Sequence, residues 1–224
     1  MDSFTDEESL GADVVYKSAS WKKPLMIIGA LFILLIMVLS IIPWFYIESN
    51  PPPNLNVVED FTLTPAERAS LEEVEYEPTS NIVYAMEQVD VFDYRGIATR
   101  LVSSACSTHS DSCYAKAIYY FVQDYVQYVP DPEVQYVESP AEVLLTKGAD
   151  CEGFVLAVMA LAESVGIDTR MVLTSNHAYI EFYLSSDPFS SKPEWVSSDP
   201  TCSNCELGEI PYQYRNVQVN YLYL

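Results

Sequence analysis

Three residue types able to do nucleophilic chemistry stand out in the chain, and their setting gives them meaning. In "ADCEGFVLAVMALAESVG", residues 149 to 166, Cys151 sits between Asp150 and Glu152, and the run then turns almost wholly apolar until Gly166. A thiol on the first turn of a helix lies among unpaired backbone N–H groups and at the positive end of the helix dipole, both of which favour its thiolate. His177 is one of only two histidines, and Asp199 follows in "SSDPT". An imidazole can take a thiol's proton if an acceptor on its other nitrogen fixes its tautomer and steadies its charge. Each residue also has an ordinary structural use: a cysteine packs as a small hydrophobe, a histidine satisfies a core hydrogen bond, and an aspartate before proline opens a turn. Asp150 and Glu152 would raise the thiol pKa if they pointed at it, whereas facing outward they would favour the helix dipole.

Elements that could bring these residues together are legible around them. Thr64, Pro65 and Glu67 make a capping box with proline at the first helical position, predicting a helix from about 65 to 76. Parts of 80 to 105 read as a second helical region. Ile118, Phe121, Val122 and Tyr125 recur at helical spacing, predicting a helix over about 114–127 that "PDP" ends. Ser139, Pro140 and Glu142 repeat the cap signature, with Lys147 and Gly148 as the stop. "FVLAVMALA" is apolar on every side, so the helix it forms belongs in the centre of a domain. "TRMVLT", "HAYIEFYL" and "EWVSSD" carry the β-branched and aromatic residues of strands, and the tyrosine-rich tail "IPYQYRNVQVNYLYL" alternates enough for a terminal strand. Helices, then a buried helix, then an antiparallel sheet make an α+β domain. If two of these strands pair beside the amino end of the buried helix, His177 and Asp199 come near Cys151.

The amino end is of a different kind. Pro24 to Ile47 contains no charged residue, and a helix needs roughly 20 apolar residues to cross a hydrocarbon core. A signal peptide has a shorter apolar core of about 7–15 residues and small residues at its cleavage site, which "IIPWFYIES" lacks, so an uncleaved anchor is expected. Trp21, Trp44 and Tyr46 suit the two interfaces. Lys17, Lys22 and Lys23 precede the span and Arg68 is the first basic residue after it, which places residues 1–23 in the cytoplasm and the rest outside the cell membrane. Residues 48–60, with the triplet Pro51–Pro53, read as a stiff spacer before a domain at 61–224. The formal net charge of −21 makes nucleic acid an improbable partner, because phosphates would be repelled.

Five cysteines in an extracytoplasmic chain leave one over if the others pair. Cys106 with Cys113 and Cys202 with Cys205 are close enough for local bridges, and a zinc site built from the same four is the competing arrangement. His109, inside the first loop, is either a ligand of such a site or a solvated loop residue. Cys151 stays free in both.

"GADCEGFVLAVMALAESVGI", "HAYIEFYL" and "WVSSDPT" together resemble the core of the transglutaminase-like superfamily, papain-related cysteine enzymes with a helix-start cysteine, a strand histidine and a strand aspartate. "SPAEVLLTKGADCEG" is similar to the approach in prokaryotic members, with Ala149 as a small departure, and the likeness covers about residues 115–202. It implies a papain-like fold with Cys151 as nucleophile, His177 as general base and acid, and Asp199 as its orienter. It further implies an oxyanion held by the cysteine backbone N–H and an upstream side chain, for which Gln135 and Tyr136 are the candidates. No cofactor or metal is required, and the calcium dependence of animal crosslinking members does not carry over because nothing here matches a calcium loop. The expected activity is that of a membrane-anchored cysteine peptidase or amidase acting on a protein or peptide substrate. Amine transfer from the same acyl-thioester, an inactive binding module and a zinc-stabilised domain are the alternatives.

Overall fold

Asp150 starts the helix around which the rest is arranged. The computed structural model describes residues 22–49, 51–130, 136–184 and 194–224. Its helices are α1 (Lys22–Ser49), α2 (Leu55–Glu59), α3 (Pro65–Glu72), α4 (Ile82–Glu87), α5 (Arg95–Ala105), α6 (Asp111–Tyr125), α7 (Pro140–Thr146) and α8 (Cys151–Ser164). The strands are β1 (Gln127–Tyr128), β2 (Gly148–Ala149), β3 (Thr169–Leu173), β4 (Ala178–Leu184), β5 (Glu194–Ser198) and β6 (Asn220–Leu222). This is a mixed helix-and-sheet arrangement, as the sequence predicts. Two units, residues 1–45 and 46–224, are described separately.

In the first unit α1 carries exposed apolar side chains from Leu25 to Leu39. Among the described residues no helix is long and apolar enough to cross a membrane. Side chains of α1 are described only as far as Ser40, while the uncharged sequence continues to Ile47.

In the second unit every residue of α8 from Phe154 to Ala162 is buried, and the helix packs against α5, α6 and α7 on one side and β3 and β4 on the other. Phe154, Leu156, Met159 and Leu161 meet Ile118, Phe121 and Leu101 in one core. Each large apolar side chain taken fully out of water contributes about 1.5–3 kcal/mol. Gly166 ends α8 at φ 86°, where a side chain would be strained, and Ile167 donates its N–H back to the Ala162 carbonyl at 3.1 Å. The chain then enters an antiparallel sheet of order β5-β4-β3-β6, with Val172 opposite both Tyr179 and Tyr221 and Phe182 opposite Val196. β1 and β2 form a separate parallel pair that ties Gln127 to Gly148 just ahead of α8.

Several local expectations change. Thr64 and Glu67 form the full capping box, but α3 stops at Glu72 rather than 76. At α7 only half of the second box forms: Ser139 accepts from the Glu142 N–H, while the Glu142 carboxylate turns to the Tyr136 hydroxyl. Lys147, at φ 63°, takes the left-handed position that ends α7, because Gly148 is committed to β2. Leu55–Glu59, expected within the spacer, is helical and its Val58 is buried in the core. Only Asn220–Leu222 of the tail is a strand, and Tyr212–Tyr214 upstream is a 3-10 turn.

A hydrogen-bonded clasp fixes the segment after β5. The Tyr119 hydroxyl on α6 bonds to the carbonyls of Asp199 (2.9 Å) and Cys205 (3.0 Å), and Gln123 Nε2 donates to those of Cys202 (2.8 Å) and Cys205 (3.1 Å). Tyr119→Phe keeps the buried ring but removes the hydroxyl from the Asp199 and Cys205 carbonyls, leaving Gln123 to hold Cys202 and Cys205. It should lower unfolding stability by about 1–3 kcal/mol in a urea titration, and an unchanged midpoint would show that Gln123 alone holds the clasp.

Candidate active site

Cys151, His177 and Asp199 come from three different elements and meet at one end of the sheet. Cys151 is the first residue of α8, His177 immediately precedes β4, and Asp199 immediately follows β5, whose Ser198 pairs with Ile180 of β4. Cys151 and His177 line the same cavity, of about 470 Å³, together with Tyr128, Glu152, Thr174 and Asn176. The Ala178 backbone N–H, next to His177 in the chain, is hydrogen-bonded to the Cys151 sulfur. His177 Nε2 is 2.8 Å from Asp199 Oδ2, and the two side chains are only 9 % and 1 % exposed. Asp199 is held in turn: its Oδ1 accepts from the Thr201 N–H at 3.0 Å and hydroxyl at 2.7 Å. One face of the imidazole is covered by Tyr214, with ring centroids 4.2 Å apart and planes within 20°.

The two acids flanking the thiol do different work, and neither faces outward. Asp150 is buried and caps α8, its Oδ1 accepting from the N–H groups of Glu152 (3.0 Å) and Gly153 (3.2 Å). Burial pushes its carboxyl up to about 7, the Gly153 hydrogen bond opposes this, and the Glu152 and Glu138 charges add to it. Glu152 takes the thiol's proton into a hydrogen bond, Sγ to Oε2 at 2.7 Å. The Cys151 thiol is therefore held well above its ordinary range, by burial first and then by the bond to Glu152 and its charge, while the Ala178 N–H pulls the other way. Glu138 packs against the same turn: a side chain on Gly153 would come within 2.6 Å of its Oε2.

Cys106–Cys113 and Cys202–Cys205 are disulfide-bonded, so their sulfurs do not form a zinc set, and Cys151 is the free cysteine. His109 Nδ1 bonds to the Tyr114 hydroxyl rather than to a metal. The donor atoms of Asp150, Cys151 and Glu152 lie within 4.8 Å of one another and could in principle hold a cation. All three already have hydrogen-bonding duties at the helix start, which account for their convergence without one. Of the two oxyanion candidates, Tyr136 donates its hydroxyl to Glu142 and is absent from the cavity lining, and Gln135 lies outside the described residues.

Residues 95–200 match the sequence profile of the transglutaminase-like superfamily. The chain carries a transglutaminase-like domain. All three candidate residues fall inside the matched span, which takes in α5 to α8 and β1 to β5. Among solved structures, calcium-bound LapG of Legionella pneumophila is similar at 17% identity and a TM-score of 0.42, over 60% of this chain and 77% of LapG. The EGTA-treated form of LapG is similar at 19% identity and 0.39, over 58% and 76%. A candidate protease from Parabacteroides distasonis is similar at 12% identity and 0.39, over 60% of this chain and 30% of the other. A search of curated proteins found no match.

Tyr128 and Tyr214 in the transglutaminase-like domain were not singled out from sequence, nor was the thiol's bond to Glu152. Tyr128 adjoins the thiol, its hydroxyl pushed up by burial and by the nearby Cys151, Asp150 and Glu152. Among 17 tyrosines nothing local marks these two. Gly153 was the one available signal, because a glycine in a packed helix implies close approach by another group.

Two expectations follow. Asp150 has a folded pKa raised above the unfolded value of about 3.9, so its contribution to stability is complete below about pH 4 and is lost as pH rises through about 7. Asp150→Asn caps equally well and stays neutral, so its stability relative to wild type should improve across that window in urea titrations. Parallel pH profiles would contradict this. Glu152→Gln keeps an acceptor beside the sulfur but removes its charge, and should speed iodoacetamide alkylation of Cys151 at about pH 8 by about tenfold, the effect of one unit of acidity. An unchanged rate would mean that burial alone governs the thiol.

Proposed function

We propose that this protein is a membrane-anchored, extracytoplasmic cysteine hydrolase that cleaves peptide or amide bonds through an acyl-thioester on Cys151. One observation carries the reading. The cavity lined by the buried Cys151 is also lined by His177, whose Nε2 is bound to Asp199 at 2.8 Å, which leaves Nδ1 to receive the thiol's proton.

The resting thiol donates to Glu152, so the first event is a rotation about the cysteine Cα–Cβ bond that exchanges this acceptor for His177 Nδ1. The sulfur then attacks a substrate carbonyl as its proton passes to the imidazole, and Asp199 steadies the imidazolium that results. The backbone N–H of Cys151 receives the oxyanion. The imidazolium returns its proton to the departing amine. The neutral imidazole that remains takes a proton from water, whose oxygen attacks the thioester and expels the cysteine thiolate, and that thiolate recovers the proton from the imidazolium. The substrate is a protein or peptide, and no step requires a nucleic acid.

The anchor is the uncharged stretch Pro24–Ile47, contained in α1, with Lys17, Lys22 and Lys23 on its cytoplasmic flank. The two disulfides of the domain agree with an oxidising compartment on the other side.

With the full-length chain, His177→Ala should slow iodoacetamide labelling of Cys151 by about tenfold or more at neutral pH, because the thiol loses its base. Cys151→Ala should abolish release of new amino termini from a mixed peptide library. Wild-type labelling in the first variant and continued cleavage by the second would dismiss the reading.

A further inference from the structure

One hydrogen bond aims the imidazole only in part. Nε2 of a histidine lies nearer the extended Cβ–Cγ axis than Nδ1, so a given rotation about that bond displaces Nδ1 further than Nε2. Torsions of this sp³–sp² kind have broad, shallow minima. The Asp199 bond at 2.8 Å thus holds the far edge of the His177 ring and restrains the direction of Nδ1 less tightly than that of Nε2. A contact on the ring's face supplies what the edge contact lacks.

Tyr214 makes that contact. Its ring lies 4.2 Å from the imidazole centroid with the planes 20° apart, so turning the imidazole about Cβ–Cγ would drive an edge into the phenol ring. The turn that presents Tyr214 is itself fixed. Its N–H donates to the Pro211 carbonyl at 3.0 Å, and the Arg215 guanidinium grips the Ile210 carbonyl at 3.2 Å and 3.3 Å. Just upstream the Glu209 carbonyl accepts from the Asp199 N–H at 3.1 Å. Edge and face of the imidazole are thereby governed from one stretch of chain, residues 199 to 215. Tyr212, on the same turn, is 86% exposed and takes no part.

We infer that Tyr214 is a positioning residue: stacked on His177, it holds the imidazole plane in the orientation from which Nδ1 can receive the proton of Cys151. The inference rests on the roles given above to Cys151, His177 and Asp199. The phenol hydroxyl is not needed for it, and the ring is.

The experiment reads the geometry and the reactivity separately, with full-length protein. His177 and His109 are the only histidines, so histidine-selective isotope labelling gives two sets of ring signals, which His177→Ala assigns. In the wild type the His177 ring protons should be displaced upfield by the stacked phenol. Tyr214→Phe should keep both that displacement and the wild-type iodoacetamide rate at Cys151. Tyr214→Leu and Tyr214→Met should lose the displacement and label about tenfold more slowly, a misaimed base being costly even at small displacements. Tyr212→Leu should change neither. Two truncations guard against one that fails to fold, and equal melting temperatures show that folding is not the cause.

The inference is overturned if the truncated variants label at the wild-type rate while His177→Ala labels slowly, or if Tyr214→Phe fails as they do. If His177→Ala itself labels at the wild-type rate, the enzymatic reading falls first, and the role of Tyr214 falls with it.

Discussion

The two hydrogen bonds that the Glu152 and Gly153 N–H groups donate to the Asp150 carboxyl oxygen are the constraint on which the rest of the site depends. α8 is buried along its length, so its unpaired N-terminal donors face the interior, where leaving them unsatisfied would be expensive. An acid must therefore be buried at the helix start, and the residue after the cap is the thiol. Position and environment of Cys151 follow together. The same turn sets Asp150 and Glu152 beside the sulfur, with Glu138 near Asp150.

That crowding gives the site a resting state. A helix N-terminus alone would make the thiol more acidic, but burial and the Glu152 carboxylate outweigh it and keep the proton on sulfur. The Ala178 N–H, beside His177 in the chain, works in the opposite sense.

The opposite wall is built by different means. Asp199 lies at the end of β5 and is gripped by Thr201, by Tyr119 through its carbonyl, and by the return of residue 209 past its N–H. The Cys202–Cys205 bridge closes the turn between these contacts. A loop of this kind has little apolar surface with which to hold itself, and hydrogen bonds to α6 and a covalent link do so instead. The outcome is an imidazole restrained at its edge by Asp199 and on its face by Tyr214.

Much of this was legible in sequence where the determinants were local. The all-round apolar pattern of 154–162 required a central helix, Thr64 and Glu67 required a cap, and the spacing of the four other cysteines allowed two short bridges that left Cys151 alone. The types and order of Cys151, His177 and Asp199 were likewise visible, because chemistry restricts which residues can serve. What Glu152 does was not visible, since an acid one residue along can turn to either side and only the folded structure shows it turned to the sulfur. Tyr214 was hidden for a related reason: contact between residues 37 positions apart is set by how the clasp folds back over the sheet, and no local pattern records that return. Sequence determined which groups could react and where the central helix begins, since both depend on residue type and near neighbours. Tertiary structure alone decided which acid the thiol meets and which ring covers the imidazole, because these depend on distances across elements that the chain brings together only when folded.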